Sequence, residues 1–85
     1  MKKLIEEVEG EGLMSLMGKV VTLFCINYFY TGKLIGVNDT CVLLKDPSIV
    51  YETGSYTEPG WEDAQKLPGD LYVMINSIES FGVIK

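Results

Sequence analysis

The side chains that most often perform catalysis are scarce in this chain of 85 residues. It contains no histidine, no serine elbow of the GxSxG type and no glycine-rich phosphate loop. Glu62 and Asp63 are neighbouring acids, but adjacent residues of a loop do not need to face one another, and a solvated loop explains them more simply. The sequence therefore predicts a protein that binds or assembles and is not an enzyme.

Cys25 and Cys41 are the only cysteines in the sequence that could form a disulfide or ligate a metal. Both lie inside apolar runs, and without histidine or a CxxC spacing they do not form a recognisable metal site. A single disulfide between them is one interpretation; the simpler one is a pair of reduced, buried thiols that act as small apolar side chains. We therefore expect no metal and no cofactor.

The long segment over residues 53–70 is different in kind from the rest of the chain. It holds three glycines, two prolines and four acids, and a segment of this length without its own periodicity is typical of a functional loop. Tyr56 and Trp61 are its large aromatic residues. Trp61 is either pinned to the domain or offered to a partner, and both interpretations stay open.

The charge balance limits the partners that this chain can hold. Seven lysines face twelve acids, there is no arginine, and the formal net charge is −5. Arginine is the usual residue for bidentate recognition of phosphate and guanine, so tight binding of duplex DNA is disfavoured, although a local patch or stacking site is not. The start of the chain has two lysines and then turns acidic instead of apolar, which predicts that it is not a signal peptide. No apolar run reaches the ~18 residues of a membrane span, so we expect a cytoplasmic protein without a membrane partner.

Short β-strands dominate the remaining pattern. β-Branched and aromatic residues run almost continuously from residue 20 to residue 37, and helix-like spacing is confined to a lead-in at residues 1–17. The chain is predicted to be one all-β domain over residues 1–85, a small, strongly bent five-stranded barrel with a short N-terminal helix. Its strands are expected at residues 20–26, 28–37, 41–45 (with residues 49–51 as an extension), 71–75 and 78–84.

The first strand is apolar on both of its faces. Alternate side chains of a strand point to opposite sides, and here both sets are apolar: Val21, Leu23 and Cys25 on one side, Val20, Phe24 and Ile26 on the other. A domain of this size buries only a little over ~60% of its unfolded surface, so it benefits from further cover. The lead-in can supply part of that cover, and we expect a second subunit to supply the rest. The alternative is that the extra apolar side chains are simply exposed, which is common for single residues but less so for a whole strand.

The order of these features resembles the Sm-like ribonucleoprotein family, including its bacterial Hfq branch. The resemblance covers about residues 13–82: a short helix, then Gly18-Lys19-Val20, then bent strands that carry the pattern Gly32-x-Leu34-x-Gly36-Val37. Asn38 stands where the family has aspartate, and the second family signature falls on residues 74–78. The resemblance implies a cyclic homo-oligomer of five to seven subunits, in which the strands at residues 71–75 and 78–81 join neighbouring copies.

The resemblance also implies single-stranded nucleic acid, with RNA before DNA, as a partner at the inner rim of the ring, and a role in RNA processing. The rim would be formed by two polar turns, Asn38-Asp39-Thr40 and Asn76-Ser77, with Lys33 on a flanking strand. Asn38 and Asn76 would read base edges, because an amide both donates and accepts hydrogen bonds. Ordinary turn chemistry selects the same residue types, so it stays open beside this role.

A second function of a different class is also consistent with the sequence. The chain would then be a non-catalytic homo-oligomeric module that binds another protein through the acidic loop, with Tyr56 and Trp61 as contacts, or through a face of the ring.

Overall fold

The computed structural model describes residues 12–85. Two 3₁₀ helices, Leu13–Leu16 and Ile75–Ser77, accompany six antiparallel strands. The strands are β1 (Val20–Cys25), β2 (Phe29–Val37), β3 (Cys41–Glu52), β4 (Asp63–Lys66), β5 (Leu71–Met74) and β6 (Ile78–Gly82). The predicted all-β class is confirmed.

The predicted helical lead-in differs from the structure where the structure describes it. Residues 1–11 of that lead-in lie outside the described residues. The remainder forms only the four-residue 3₁₀ helix between Gly12 and Gly18, which both have positive φ angles (69° and 84°). Five residues between two glycines are too few to nucleate an α-helix, whose first turn already fixes several residues for one hydrogen bond.

The prediction of five strands was wrong, because β4 lies within the segment interpreted as a loop. Its four residues are all exposed and its sequence, Asp-Ala-Gln-Lys, carries no apolar alternation. Backbone pairing holds it instead, with Ser48 opposite Lys66 and Val50 opposite Ala64 on β3. A strand that is held by its backbone alone leaves no side-chain pattern for sequence analysis to detect.

The sheet is strongly curved. Its order is β4-β3-β2-β1-β6, and β5 pairs with the half of β3 that β4 leaves free. β5 and β6 therefore lie at opposite ends of the sheet, yet only the three residues Ile75–Ser77 separate them in the chain. Three residues span at most about 10 Å. The two end strands must approach one another, but within residues 12–85 they do not pair, so the sheet stays open.

Two bulges between β2 and β3 produce much of this curvature. Thr31 pairs with Ser48 and Lys33 pairs with Lys45, so Asp46 and Pro47 face the single residue Gly32. A bulge of two residues against one bends a strand and increases its twist. The second register shift, between Leu34 and Gly36, lies on β2 itself. The strand β3 thus continues through Asp46-Pro47, where the sequence suggested a break.

The core is a single cluster of apolar side chains from β1, β2, β3 and β5. Leu13 and Leu16 of the first 3₁₀ helix pack against it, as does Ile75 of the second. Its buried members are Val21, Leu23, Cys25, Leu34, Val42, Leu44 and Val73.

The second face of β1 is covered only at its centre. Thr22 is 1% exposed there, and the Thr31 hydroxyl donates a 3.0 Å hydrogen bond to the Val21 carbonyl oxygen. The Phe24 and Phe29 rings pack edge to face beside them, with centroids 4.6 Å apart. The ends of the strand are open to solvent, at Val20 and just beyond it at Ile26.

Candidate binding surfaces

The two polar turns predicted at the rim lie next to each other. The first connects β2 to β3 and the second is the 3₁₀ helix Ile75–Ser77 between β5 and β6. The Ile75 backbone N–H donates a 2.8 Å hydrogen bond to the Thr40 carbonyl oxygen, which ties the turns together. Because β5 pairs with the start of β3, this contact follows from the sheet register, in which Cys41 faces Met74.

The side-chain oxygen of Asn38 is used by hydrogen bonds within the first turn. Its Oδ1 accepts hydrogen bonds from the Thr40 N–H (2.8 Å), the Cys41 N–H (2.9 Å) and the Thr40 hydroxyl (3.1 Å). This is the ordinary turn chemistry of asparagine. Only its Nδ2 donors remain for a ligand, so Asn38 can donate to a base edge and cannot also accept from one.

The other predicted rim residues are divided between two places. Asp39, Asn76 and Ser77 belong to the joined turns, and the first two are exposed. Lys33 lies in the middle of β2 opposite Lys45, about 15 Å from Asn38 along an extended strand. The structure therefore brings the amide and hydroxyl groups of the two turns together but leaves the predicted lysine away from them.

The outer edges of β5 and β6 form a pair of open strand edges. In the described part of the chain, β5 pairs only with β3, and β6 pairs only with β1. Large apolar side chains stand on both: Tyr72 (67% exposed) and Met74 on β5, and Phe81 on β6. Exposed strand edges of this kind are templates for pairing with another chain.

A cleft of about 300 Å³ lies beside the edge of β5. One wall is β5 itself, and the other comes from the connection between β1 and β2, with Asn27 and Tyr28, and from Tyr30. Burial raises the pKa of the Tyr30 phenol above its usual value, which keeps it protonated. The cleft could not be predicted from the sequence, because the strand order that brings β5 toward the β1–β2 connection has no local sequence signal.

The loop aromatics Tyr56 and Trp61 are brought together, with ring centroids 6.4 Å apart and planes at 88°. Lys85 joins them: its Nζ lies 4.6 Å from the centroid of the Trp61 ring and 5.5 Å from that of Tyr56. The role of Lys85 could not be predicted from the sequence, since nothing local connects it with a loop more than twenty residues earlier.

Both cysteines are free thiols and lie on different strands. Cys25 is buried in the core, whereas Cys41 is half-buried at the start of β3. Burial, and secondarily the nearby Glu79 carboxylate, raise the pKa of the Cys25 thiol above its usual value. Because the thiolate is the reactive form, Cys25 is poorly suited to nucleophilic or redox chemistry.

We expect Cys41 to react with a soluble disulfide reagent about tenfold or more faster than Cys25, because Cys25 is less accessible and its raised pKa leaves little of it as the reactive thiolate at neutral pH. The comparison uses Cys25→Ala, which keeps Cys41, and Cys41→Ala, which keeps Cys25, with thiol release followed by absorbance. The rate for Cys25 should continue to rise with pH beyond the usual thiol range. Equal rates in the folded state would contradict this; equal rates in denaturant are the control.

No family model, no curated protein and no solved structure matches the chain. Over residues 12–85, none of the helices has the length and apolar character needed to cross a bilayer. In the same residues, no three His, Cys, Asp or Glu side chains come together in a way that could hold a metal ion.

Proposed function

We propose that the chain is a subunit of a cyclic homo-oligomer, an Sm-like half-open barrel in which β5 of one copy pairs with β6 of the next. The observation that carries this proposal is the pair of open strand edges at opposite ends of one curved sheet. Such an interface joins two different surfaces, and an interface of that kind closes into a ring when the rotation between copies permits. Closure leaves no exposed edges.

The two edges are matched in length and in chemistry. β5 has four residues and β6 has five. Phe81 is paired with the buried Leu23 and so lies on the core-facing side of β6, where it would meet Leu71 and Val73, the core-facing residues of β5 in the next copy. Tyr72 and Met74 lie on the other face of β5 and would cover the outer side of the new strand pair, beside a cleft with room for a large side chain. Complete burial of such a side chain contributes at most about 1.5–3 kcal/mol, so a few of them, with backbone hydrogen bonds, suffice for a stable contact.

The strand order also supports an Sm-like arrangement. The last two strands are separated by one 3₁₀ turn and lie on opposite sides of a sheet whose centre is β3-β2-β1. Gly32 and Gly36, which carry the sequence resemblance, lie at the two bulges that bend β2 against β3.

The mass in solution tests the proposal. Sedimentation equilibrium at micromolar concentration should give a single species of five to seven copies of the 9.5 kDa chain, whose mass does not grow with concentration. A monomer would refute the ring, and a mass that increases steadily with concentration would indicate an open filament.

A second candidate function is the binding of single-stranded nucleic acid at the rim, for RNA processing. It is favoured by the joined turns. In a ring, each subunit would contribute one exposed Asn76 amide and the Nδ2 donors of one Asn38, so that these groups would line the rim. A cleft of about 310 Å³ lined by Asn38, Asp39 and Ile75 adjoins them. The net charge of −5 predicts modest affinity with a strong dependence on salt.

Labelled oligo-U and oligo-A titrations at low and moderate salt test this candidate. Asn76→Ala should weaken binding, and Lys33→Ala should reduce the salt slope by about 1 if that lysine contacts a phosphate. Lys66→Ala, which removes the same charge from the exposed strand β4, is the matched control. Absence of binding at low salt would refute a nucleic-acid function and leave the ring in place.

A further inference from the structure

The Nζ group of Lys85 lies in a complete receptor for a primary ammonium ion. It donates hydrogen bonds to the backbone carbonyl oxygens of Thr53 (2.7 Å), Ser55 (2.9 Å) and Gly60 (2.8 Å). A lysine ammonium has three N–H donors, so all three are satisfied. The Tyr56 and Trp61 rings supply the remaining contacts, within the ~6 Å over which a cation is attracted to an aromatic face.

The loop builds this receptor from its own residues. The Ser55 and Thr57 hydroxyls are hydrogen-bonded to each other at 2.7 Å, and the Glu58 N–H donates to the Ser55 carbonyl oxygen at 3.1 Å. Gly54 has a φ of 66°, and a Cβ there would stand 3.2 Å from the Glu62 Cβ, so only glycine lets the two sides of the loop approach so closely. Lys85 binds in the receptor, but the loop that forms the receptor does not include Lys85.

The receptor lies at the protein surface, next to a cleft whose lining is negatively charged. Tyr56 is 53% exposed. A cleft of about 400 Å³ on the same loop is lined by Glu58, Pro59, Gly60, Trp61 and Glu62. Two acids, an indole wall and no base in that lining match a basic ligand, as does the overall net charge of −5.

We propose that this loop, residues 53–62, is a binding site for a lysine side chain of a partner protein, and that Lys85 is its displaceable intramolecular ligand. The partner presents a basic segment whose ammonium group takes the place of the Lys85 ammonium, while its neighbouring residues enter the acidic cleft. The proposal is independent of the ring and of nucleic-acid binding. Lys85 competes at a high effective concentration, so the site responds only to a partner that binds more strongly than a free amine.

The test uses Lys85→Met, which keeps an apolar stem and removes the charge, and a capped pentapeptide Gly-Ala-Lys-Ala-Gly. Trp61 is the single tryptophan, so its fluorescence reports on the site directly. The variant should bind the peptide about tenfold or more tightly than the unmodified chain, because the competitor is gone. Trp61→Ala in the same background should abolish the amide chemical-shift changes in the loop, whereas Tyr51→Ala, an exposed aromatic outside the loop, should leave them unchanged.

Modified peptides distinguish this site from a nonspecific acidic surface. Trimethyl-lysine retains the charge but has no N–H donors, and should bind about tenfold or more weakly than lysine; acetyl-lysine, which is neutral, should not bind. Equal binding of the three peptides, or no binding by Lys85→Met, would overturn the proposal and leave Lys85 as a structural latch. If Lys85→Met does not fold, Lys85→Gln, which also removes the ammonium group, takes its place in the same titration, and failure of that variant to bind the lysine peptide overturns the proposal.

Discussion

If β5 of one copy pairs with β6 of the next, as we propose, Tyr72→Glu and Phe81→Glu should each give a monomer, and a mixture of the two variants should form a dimer and nothing larger. Tyr72 lies on the open edge of β5 and Phe81 on the open edge of β6. Each substitution places an unpaired carboxylate in an apolar strand interface. Leaving a buried charge unpaired costs several kcal/mol, so each Kd should rise about 100-fold or more.

The dimer in the mixture follows from the use of two different surfaces. A Tyr72→Glu copy keeps an intact β6 edge, and a Phe81→Glu copy keeps an intact β5 edge. One good interface can form between them, and the two edges left over are both defective, so growth stops. A symmetric interface, in which β5 meets β5 or β6 meets β6, predicts that one of the two substitutions has no effect.

Sedimentation velocity of each variant and of the mixture provides the measurement. Val20→Glu is the matched control. Val20 is also exposed and apolar, but it lies on β1, where it is paired with Lys33 of β2, away from both open edges. It should keep the full assembly. Unfolding midpoints of all three variants confirm that loss of assembly is not loss of fold. A mixture that restores the full ring, or two variants that remain assembled, would refute pairing of β5 with β6.

The sequence predicted the strands that carry runs of β-branched, aromatic and other apolar residues. These runs identified β1 and β2, which supply much of the core, and also β5 and β6, whose residues are mostly not buried, and the two glycines of β2 indicated where it bends. β4 was missed because its exposed polar residues are held only by backbone pairing. The long β3 was predicted in two pieces, because Asp46-Pro47 has the composition of a break and becomes a bulge only when Gly32 lies opposite.

The candidate sites were predicted less completely, for a related reason. The residues of the two rim turns were recognised from their composition, but their contact depends on the register of β5 against β3. Tyr56 and Trp61 were recognised as the notable loop residues. The three carbonyl oxygens and Lys85 that complete the ammonium receptor were not, because a backbone carbonyl has no sequence signature and Lys85 follows Ser55 by thirty positions.

Gly32→Ala should destabilise the fold by about 1–3 kcal/mol, as expected for overpacking at a site that cannot relax. A Cβ at Gly32 would stand 3.1 Å from the Leu44 Cβ, 3.2 Å from the Lys45 carbonyl oxygen and 3.2 Å from the Pro47 Cα. Two of these atoms belong to the backbone of the β3 bulge. Relief therefore requires β2 and β3 to separate where their curvature is produced. Urea unfolding followed by Trp61 fluorescence gives the free energy of unfolding.

Substitutions at two other glycines allow the cost of an added Cβ at the bulge to be compared with its cost elsewhere. A Cβ at Gly36 would meet only side-chain atoms of Leu43, the nearest at 3.3 Å, so Gly36→Ala should cost less than Gly32→Ala. A Cβ at Gly69 meets nothing within 4 Å, and its φ is not in the left-handed region, so Gly69→Ala should be neutral or stabilising by about 0.4–1 kcal/mol. Because assembly would add concentration-dependent stability, the three variants are compared at one protein concentration. Equal effects at Gly32 and Gly69 would show that the close approach of β2 to the β3 bulge does not control the bend.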